Sequence, residues 1–255
     1  MELIKRLKRF YINMSKKKED LKLPERQPGK LNIYFHVSEN SGVGYYRQYL
    51  PAVKLKEHNL ANVLISDFRW GQGNHVEPDM DTLFQIARWA DIIVVGRKDQ
   101  ADFYAMWGGI REFFNIPIVI DTDDNVRFVR PTNPGYSGYF PGSEALVWDK
   151  YGMARVFDAV TVSTQELVDV HKKECPKIYV LPNNLDVKEW NNKVRHVFDD
   201  GFTTLAFIGS SAHHEGVQII KKPVLDIMQK YPKTKFLITH VYSQHLASFP
   251  DDIKK

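Results

Sequence analysis

Short apolar runs rich in Val and Ile recur along the chain at residues 31–37, 62–66, 91–96, 117–121, 159–163 and 178–181. Each is too short for a helix and is bounded by Gly, Pro, Asn, Asp or Ser nearby, so each predicts a strand. Between them, apolar positions return at helical spacing over 45–58, 81–90, 100–114, 143–157 and 164–173. Strands alternating with helices of this length predict βαβ units and a mostly parallel sheet. After a polar, irregular stretch at 186–201 the pattern restarts, with strands at 204–209 and 235–240 around a helix near 216–230. The expected class is therefore α/β. One Rossmann-like domain with a parallel sheet is expected over 30–185, with an interdomain connection at 186–201. The start of a second Rossmann-like domain follows over 202–255, and residues 1–29 form a basic amphipathic arm and a linker.

Charge changes this picture only at the start of the chain. Residues 1–22 hold eight Lys or Arg against three Asp or Glu, so that segment accounts for the whole +4 excess and the remainder is close to neutral. Leu3, Ile4, Leu7, Phe10 and Tyr11 recur at helical spacing among those basic residues. Such a pattern fits either a solvated arm or peripheral contact with an anionic membrane surface. With no concentrated basic face elsewhere, nucleic acid is not an expected partner. A single cysteine, Cys175, leaves no disulfide framework and no CxxC metal site. No apolar run approaches the roughly 20 residues that span a bilayer, and the first residues lack the apolar core of a secretory signal. The expected address is cytoplasmic, with membrane-peripheral contact through the arm as the variant.

The candidate chemistry follows the strands, as it should in a parallel sheet, whose ligands sit outside the carboxyl ends. After the first strand come Ser41, Gly42, Val43 and Gly44, with Arg47 three residues into the following helical pattern. The glycines permit close backbone approach, and Arg47 could meet an anion there; a plain tight turn explains the same residues. Asp121, Asp123 and Asp124 follow the fourth strand, and carboxylates so close repel unless solvated, paired or bridged by a cation. An Asp-rich turn is the plainer alternative. The later run TLAFIGSSAHH passes from a strand into Gly209, Ser210 and Ser211 and then a helix start, a standard way to offer N–H groups to a phosphate. His213 at that helix start could bond a phosphate or hydroxyl. The segment 127–141, RFVRPTNPGYSGYFP, has the rings and donors of a sugar-lining loop in Arg127, Arg130, Tyr136 and Tyr139, or of an ordered surface loop packing its own rings.

In the order GVGYYRQYLPAVKL, DIIVVGR, PIVIDTDDN, FDAVTVSTQEL, YVLPNNLDVKEW and LAFIGSSAHHEG, the chain resembles a GT-B glycosyltransferase of the group-1 (GT4-like) type. The resemblance spans about residues 31 to 240. It implies two Rossmann-like domains facing a nucleotide-containing cleft, with the acceptor mostly on the first and a nucleoside diphosphate-sugar mostly on the second. Gly42–Gly44 would approach the donor from across that cleft, while Gly209 and Ser210 would offer N–H groups to its diphosphate. Ser163, Thr164 and Asn183 fall in the VST and PNNLD segments on the acceptor side. Asp121, Asp123 and Asp124 match an acidic patch of the subgroup, without an assigned role. The resemblance further implies retention of anomeric configuration and no bound metal. The basic residue and Glu-x7-Glu motif that the family carries later in its donor domain are not in this sequence, so truncation within that domain is expected.

Three functions follow as expectations. The first is a glycosyltransferase passing a sugar to a glycan, a lipid-linked sugar or a protein, with the nucleotide-sugar as co-substrate and no cofactor. The second is a non-catalytic sugar- or nucleotide-binding fragment or half of a split transferase, for which self-association or a missing C-terminal half would be the partner. The third is a GT-A-like transferase in which Asp121 and Asp123 hold a divalent cation as a DxD pair. A Rossmann oxidoreductase is weaker, because neither loop supplies a full GxGxxG with an acid about 20 residues on.

Overall fold

The computed structural model describes residues 22–66, 78–175, 177–191, 200–209 and 213–239. The basic arm to residue 21, together with Ser210, Ser211 and the expected end of the last strand at His240, lies outside the described residues. The chain divides into two compact units. One runs to Asn125 and resumes over Gly142–Asp186; the other holds Val126–Pro141 and the chain from Val187 onward.

The first unit is a six-stranded parallel sheet flanked by helices. Its strands are β1 (Asn32–His36), β2 (Asn62–Ile65), β3 (Ile92–Gly96), β4 (Ile118–Thr122), β5 (Ala159–Val162) and β6 (Ile178–Val180). Their spatial order is β2-β1-β3-β4-β5-β6, every neighbour parallel. Successive strand side chains point to opposite faces, and β1 displays this directly. Tyr34 joins one large core with Ile93, Trp107, Ile118 and Ile120, whereas Phe35 joins a second cluster with Ala52, Ala61 and Val63. Both faces are covered, which is why these strands read as continuous apolar runs.

The helices of this unit are α1 (Leu50–Glu57), α2 (Met80–Trp89), α3 (Ala101–Phe114), α4 (Glu144–Arg155) and α5 (Gln165–His171). Local chemistry sets their ends. Asp79 caps α2 by accepting from the Thr82 N–H at 2.9 Å. Asn115 ends α3 in the left-handed region at φ 51°, a conformation Asn tolerates through its short polar side chain. At the amino ends of the strands the Asp91 carboxylate accepts from both the Asn32 backbone N–H and the Asn32 side chain at 2.8 Å. Asn62 in turn donates to Asn32 Oδ1 at 2.7 Å. The Asn32 N–H holds the Asp91 carboxyl below the ordinary carboxylate range. This network ties β1, β2 and β3 together at the end of the sheet away from the loops discussed next.

The second unit pairs β7 (Thr203–Ile208) with β8 (Thr234–Thr239) in parallel, with α6 (Val187–Asn191) and α7 (His214–Lys230). It also holds the single helical turn Tyr136–Tyr139. The segment 126–141 was expected within the first domain and groups with this unit instead. A long-range polar cluster joins it there: Arg130 pairs with Glu215 at 3.2 Å, and the Thr132 hydroxyl donates to the same carboxylate. The stretch after Asp186, expected to be irregular, begins with the short helix α6. No helix among the described residues is long and apolar enough to cross a membrane.

Candidate functional site

Strand order fixes where a site can form in the first unit. The chain leaves β1 toward β2 on one side, while β3 lies on the other, so a crevice opens at the carboxyl ends of β1 and β3. Ser38 follows β1 there, and its hydroxyl donates to the Gly96 carbonyl at the end of β3 at 2.5 Å.

The loop after β1 doubles back on itself. A Cβ on Gly44 would lie 1.9 Å from the Glu39 carbonyl oxygen, so only glycine lets this loop close. The chain then enters a π-helical segment, Gly44–Tyr49, before α1, with the Leu50 N–H bonded to the Tyr45 carbonyl five residues back. Segments of this kind hold one residue more than an α-helical turn and occur often at functional sites. Here the segment buries two successive polar residues, Arg47 and Gln48.

Arg47 and Asp121 form a buried bidentate pair, each 2% exposed. Arg47 Nε reaches Oδ2 at 3.0 Å and Nη2 reaches Oδ1 at 2.6 Å. The remaining nitrogen, Nη1, donates to the Leu181 carbonyl and to Asn183 Oδ1. Asp121 also accepts from Gln48 Nε2 at 3.1 Å and from the Thr161 hydroxyl at 2.6 Å. Four of the five N–H groups of Arg47, the residue expected to meet an anion, are engaged with Asp121, Leu181 and Asn183. Asp121 likewise serves as the anchor of Arg47 rather than as an open carboxylate. The residues therefore do not fit a divalent cation shared by Asp121 and Asp123, because a guanidinium takes the place the cation would need.

Asp123 is different. It is half-buried, with no side-chain cation among the described residues bonded to it, and its carbonyl accepts from the Ser163 hydroxyl at 3.3 Å. Burial first, then the neighbouring Asp124 and Asp121 carboxylates, push its carboxyl up to about 6, against the opposing pull of Arg47. Asp124 is exposed.

These loops surround a cavity of about 340 Å³, within the range of small-molecule sites. Its lining comes from three stretches of chain: Gly42, Val43, Tyr46 and Arg47, then Asp123, then Asn183, Asn184 and Leu185. So five residues singled out in the sequence, Gly42, Val43, Arg47, Asp123 and Asn183, come to one place. Gly44 shapes its loop from behind, Ser163 supports it through Asp123, and exposed Thr164 lies at the start of α5. Tyr46, Gln48 and Thr161 were not singled out. An alternating VTV strand or a Gln inside a helical pattern looks like ordinary packing, and only the fold turns both toward Asp121.

The other candidates belong to the second unit. Arg130 is engaged with Glu215, Tyr136 and Tyr139 are half-buried in their helical turn, and Arg127 is half-buried in the turn Val126–Phe128. The expected acceptor-side set is therefore divided: Arg127, Arg130, Tyr136 and Tyr139 in this unit, Ser163, Thr164 and Asn183 in the first. Gly209 closes tightly on His213, whose ring nitrogen would be 2.8 Å from an added Cβ. His213 itself is exposed at the cap position of α7.

No family model matches this chain, and no curated protein does. Among solved structures the chain is similar to a conserved protein from Enterococcus faecalis V583 at 11% identity, over 60% of this chain and 92% of that one. The TM-score is 0.26, a likeness too slight to carry an argument.

Proposed function

We propose that this protein is a glycosyltransferase of GT-B type that passes a sugar from a nucleoside diphosphate-sugar to an acceptor hydroxyl, with no metal in the transfer step. The observation that carries this reading is the convergence of Gly42, Val43, Asp123 and Asn183 on one cavity at the carboxyl ends of the sheet. They come from three separate stretches of the resemblance, which the strand order and the bonds of Arg47 to Asp121 and Asn183 hold at one pocket.

Transfer builds negative charge on the departing diphosphate, and preorganised donors are its main electrostatic requirement. In the second unit β7 ends at Ile208 and α7 begins at His214, so a strand leads through Gly209 to a helix N-terminus. Helix N-termini present N–H groups and positive dipole ends to phosphates without a metal. The Arg47–Asp121 pair supports the metal-free reading over a DxD site, since Asp121 already has its cation.

Calorimetric titration with uridine, guanosine and thymidine diphosphate-hexoses in EDTA tests this. Saturable binding of at least one is the expected result, and its intact nucleoside diphosphate should compete. Binding that appears only when manganese or magnesium is added would move the assignment to the DxD alternative.

A further inference from the structure

The linker that follows the basic arm is fastened to the first unit. Leu23 packs against the large core. The Pro24 carbonyl accepts from Trp89 Nε1 at 2.7 Å, and Arg26 returns the contact by donating to the Trp89 carbonyl at 2.6 Å. Arg26 also pairs with Asp91 at 3.2 Å, and Asn62 Nδ2 donates to the Glu25 carbonyl at 2.7 Å. Trp89 and Asp91 precede β3 and Asn62 opens β2, so the linker enters the fold at the amino ends of the strands, opposite the cavity.

That end of the sheet carries apolar surface of its own. Leu31, just before β1, is 58% exposed, and Leu60, just before β2, is 68% exposed. They sit on adjoining loops: the Asn62 N–H donates to the Leu31 carbonyl at 2.9 Å, and Lys30 Nζ donates to Asn59 Oδ1. Exposed Lys56 belongs to the same turn, where its carbonyl accepts from the Asn59 N–H at 3.1 Å. A single exposed leucine is ordinary. Two on adjoining loops, framed by lysines and reached by an anchored linker, make a face.

The sequence ahead of the linker has matching chemistry. Residues 3–18 hold seven Lys or Arg and no Asp or Glu. Taken at about 100° per residue, Leu3, Leu7, Phe10 and Met14 fall within an arc of about 60° with Ile4 and Tyr11 on its flank. Lys5, Lys8, Arg9 and Lys16 fall opposite, and only Ile12 breaks the division. Solvated arms are poor in large apolar residues, and a nucleic-acid backbone has no use for an apolar arc. A bilayer with anionic headgroups uses both halves. We propose that residues 1–18 and the face of Leu31 and Leu60 together bind an anionic lipid bilayer, with the amino ends of the strands toward the lipid and the cavity end away from it. Lipid binding of this kind is independent of sugar transfer.

Co-sedimentation of the full chain with vesicles tests this. Phosphatidylcholine vesicles containing about 30% phosphatidylglycerol should carry the protein down, and pure phosphatidylcholine should leave most of it in solution. Lys5→Gln, Lys8→Gln and Arg9→Gln together should weaken binding about 100-fold, at about fivefold for each basic residue near the surface. Leu7→Ser with Phe10→Ser keeps the charge and should weaken binding by at least about tenfold. Leu60→Ser, on the folded unit, should weaken it several-fold. Melting curves that match the parent's establish that each variant folds. A parent that stays in solution with anionic vesicles, or undiminished binding by the Leu7 and Phe10 double variant, overturns the proposal. So does retention on poly(U) at salt concentrations that release the vesicles, which would assign the arm to nucleic acid. Undiminished binding by Leu60→Ser overturns the part given to the end of the sheet.

Discussion

Replacing Arg47 with Met should destabilise the first unit by about 3–5 kcal/mol, the usual cost of stranding one partner of a buried ion pair. Urea unfolding followed by far-ultraviolet circular dichroism measures it as a lowered midpoint. The magnitude follows from what is left behind. Asp121 would remain 2% exposed with only Gln48 and Thr161 as donors, and the Leu181 carbonyl and Asn183 would lose theirs. Changing both partners to apolar residues should cost much less than the sum of the single changes, because no charge is then left alone. A loss under about 1 kcal/mol for Arg47→Met would mean that the pair is far more solvated than its geometry describes.

Gly44→Ala should be the second most damaging change. Its methyl would meet the Glu39 carbonyl oxygen at 1.9 Å, and that atom is backbone, so the loop itself must move. Overpacking of this kind costs about 1–3 kcal/mol. The larger effect should fall on the ligand, since Val43 lines the cavity and displacement by about an ångström can cost about 100-fold in rate. Gly42→Ala makes the contrast: an added Cβ there meets nothing within 4 Å. Its melting temperature should stay near that of the parent, while its methyl still intrudes on the cavity. Melting curves for the two variants, with nucleotide-sugar affinity measured alongside, separate loop closure from ligand contact.

Much of this molecule is legible in its sequence, and the exceptions share one physical origin. The six strands of the first unit lie within a residue or two of the apolar runs, because the central strands are covered on both faces and their few polar residues sit mostly at the strand ends. α1 and its π-helical prelude read as one helix, since an extra residue in a turn hardly alters a helical apolar pattern over so short a span. Arg47 and Asp121 were each noticed, yet their pairing was not, because 74 positions separate them and only the strand order brings them together. The same holds for Arg130 and Glu215, 85 positions apart. That contact places 126–141 with the second unit, whereas its Pro, Gly and aromatic content suggests only a loop.

The central claim is that this protein moves a sugar without a metal. Incubating it in EDTA with nucleoside diphosphate-hexoses and methyl hexosides, and following the anomeric region by proton NMR, tests that claim most directly. At least one donor should be consumed while a new glycosidic anomeric signal grows in equal amount to the released nucleoside diphosphate. Donors left intact in EDTA but consumed once manganese is added would contradict it.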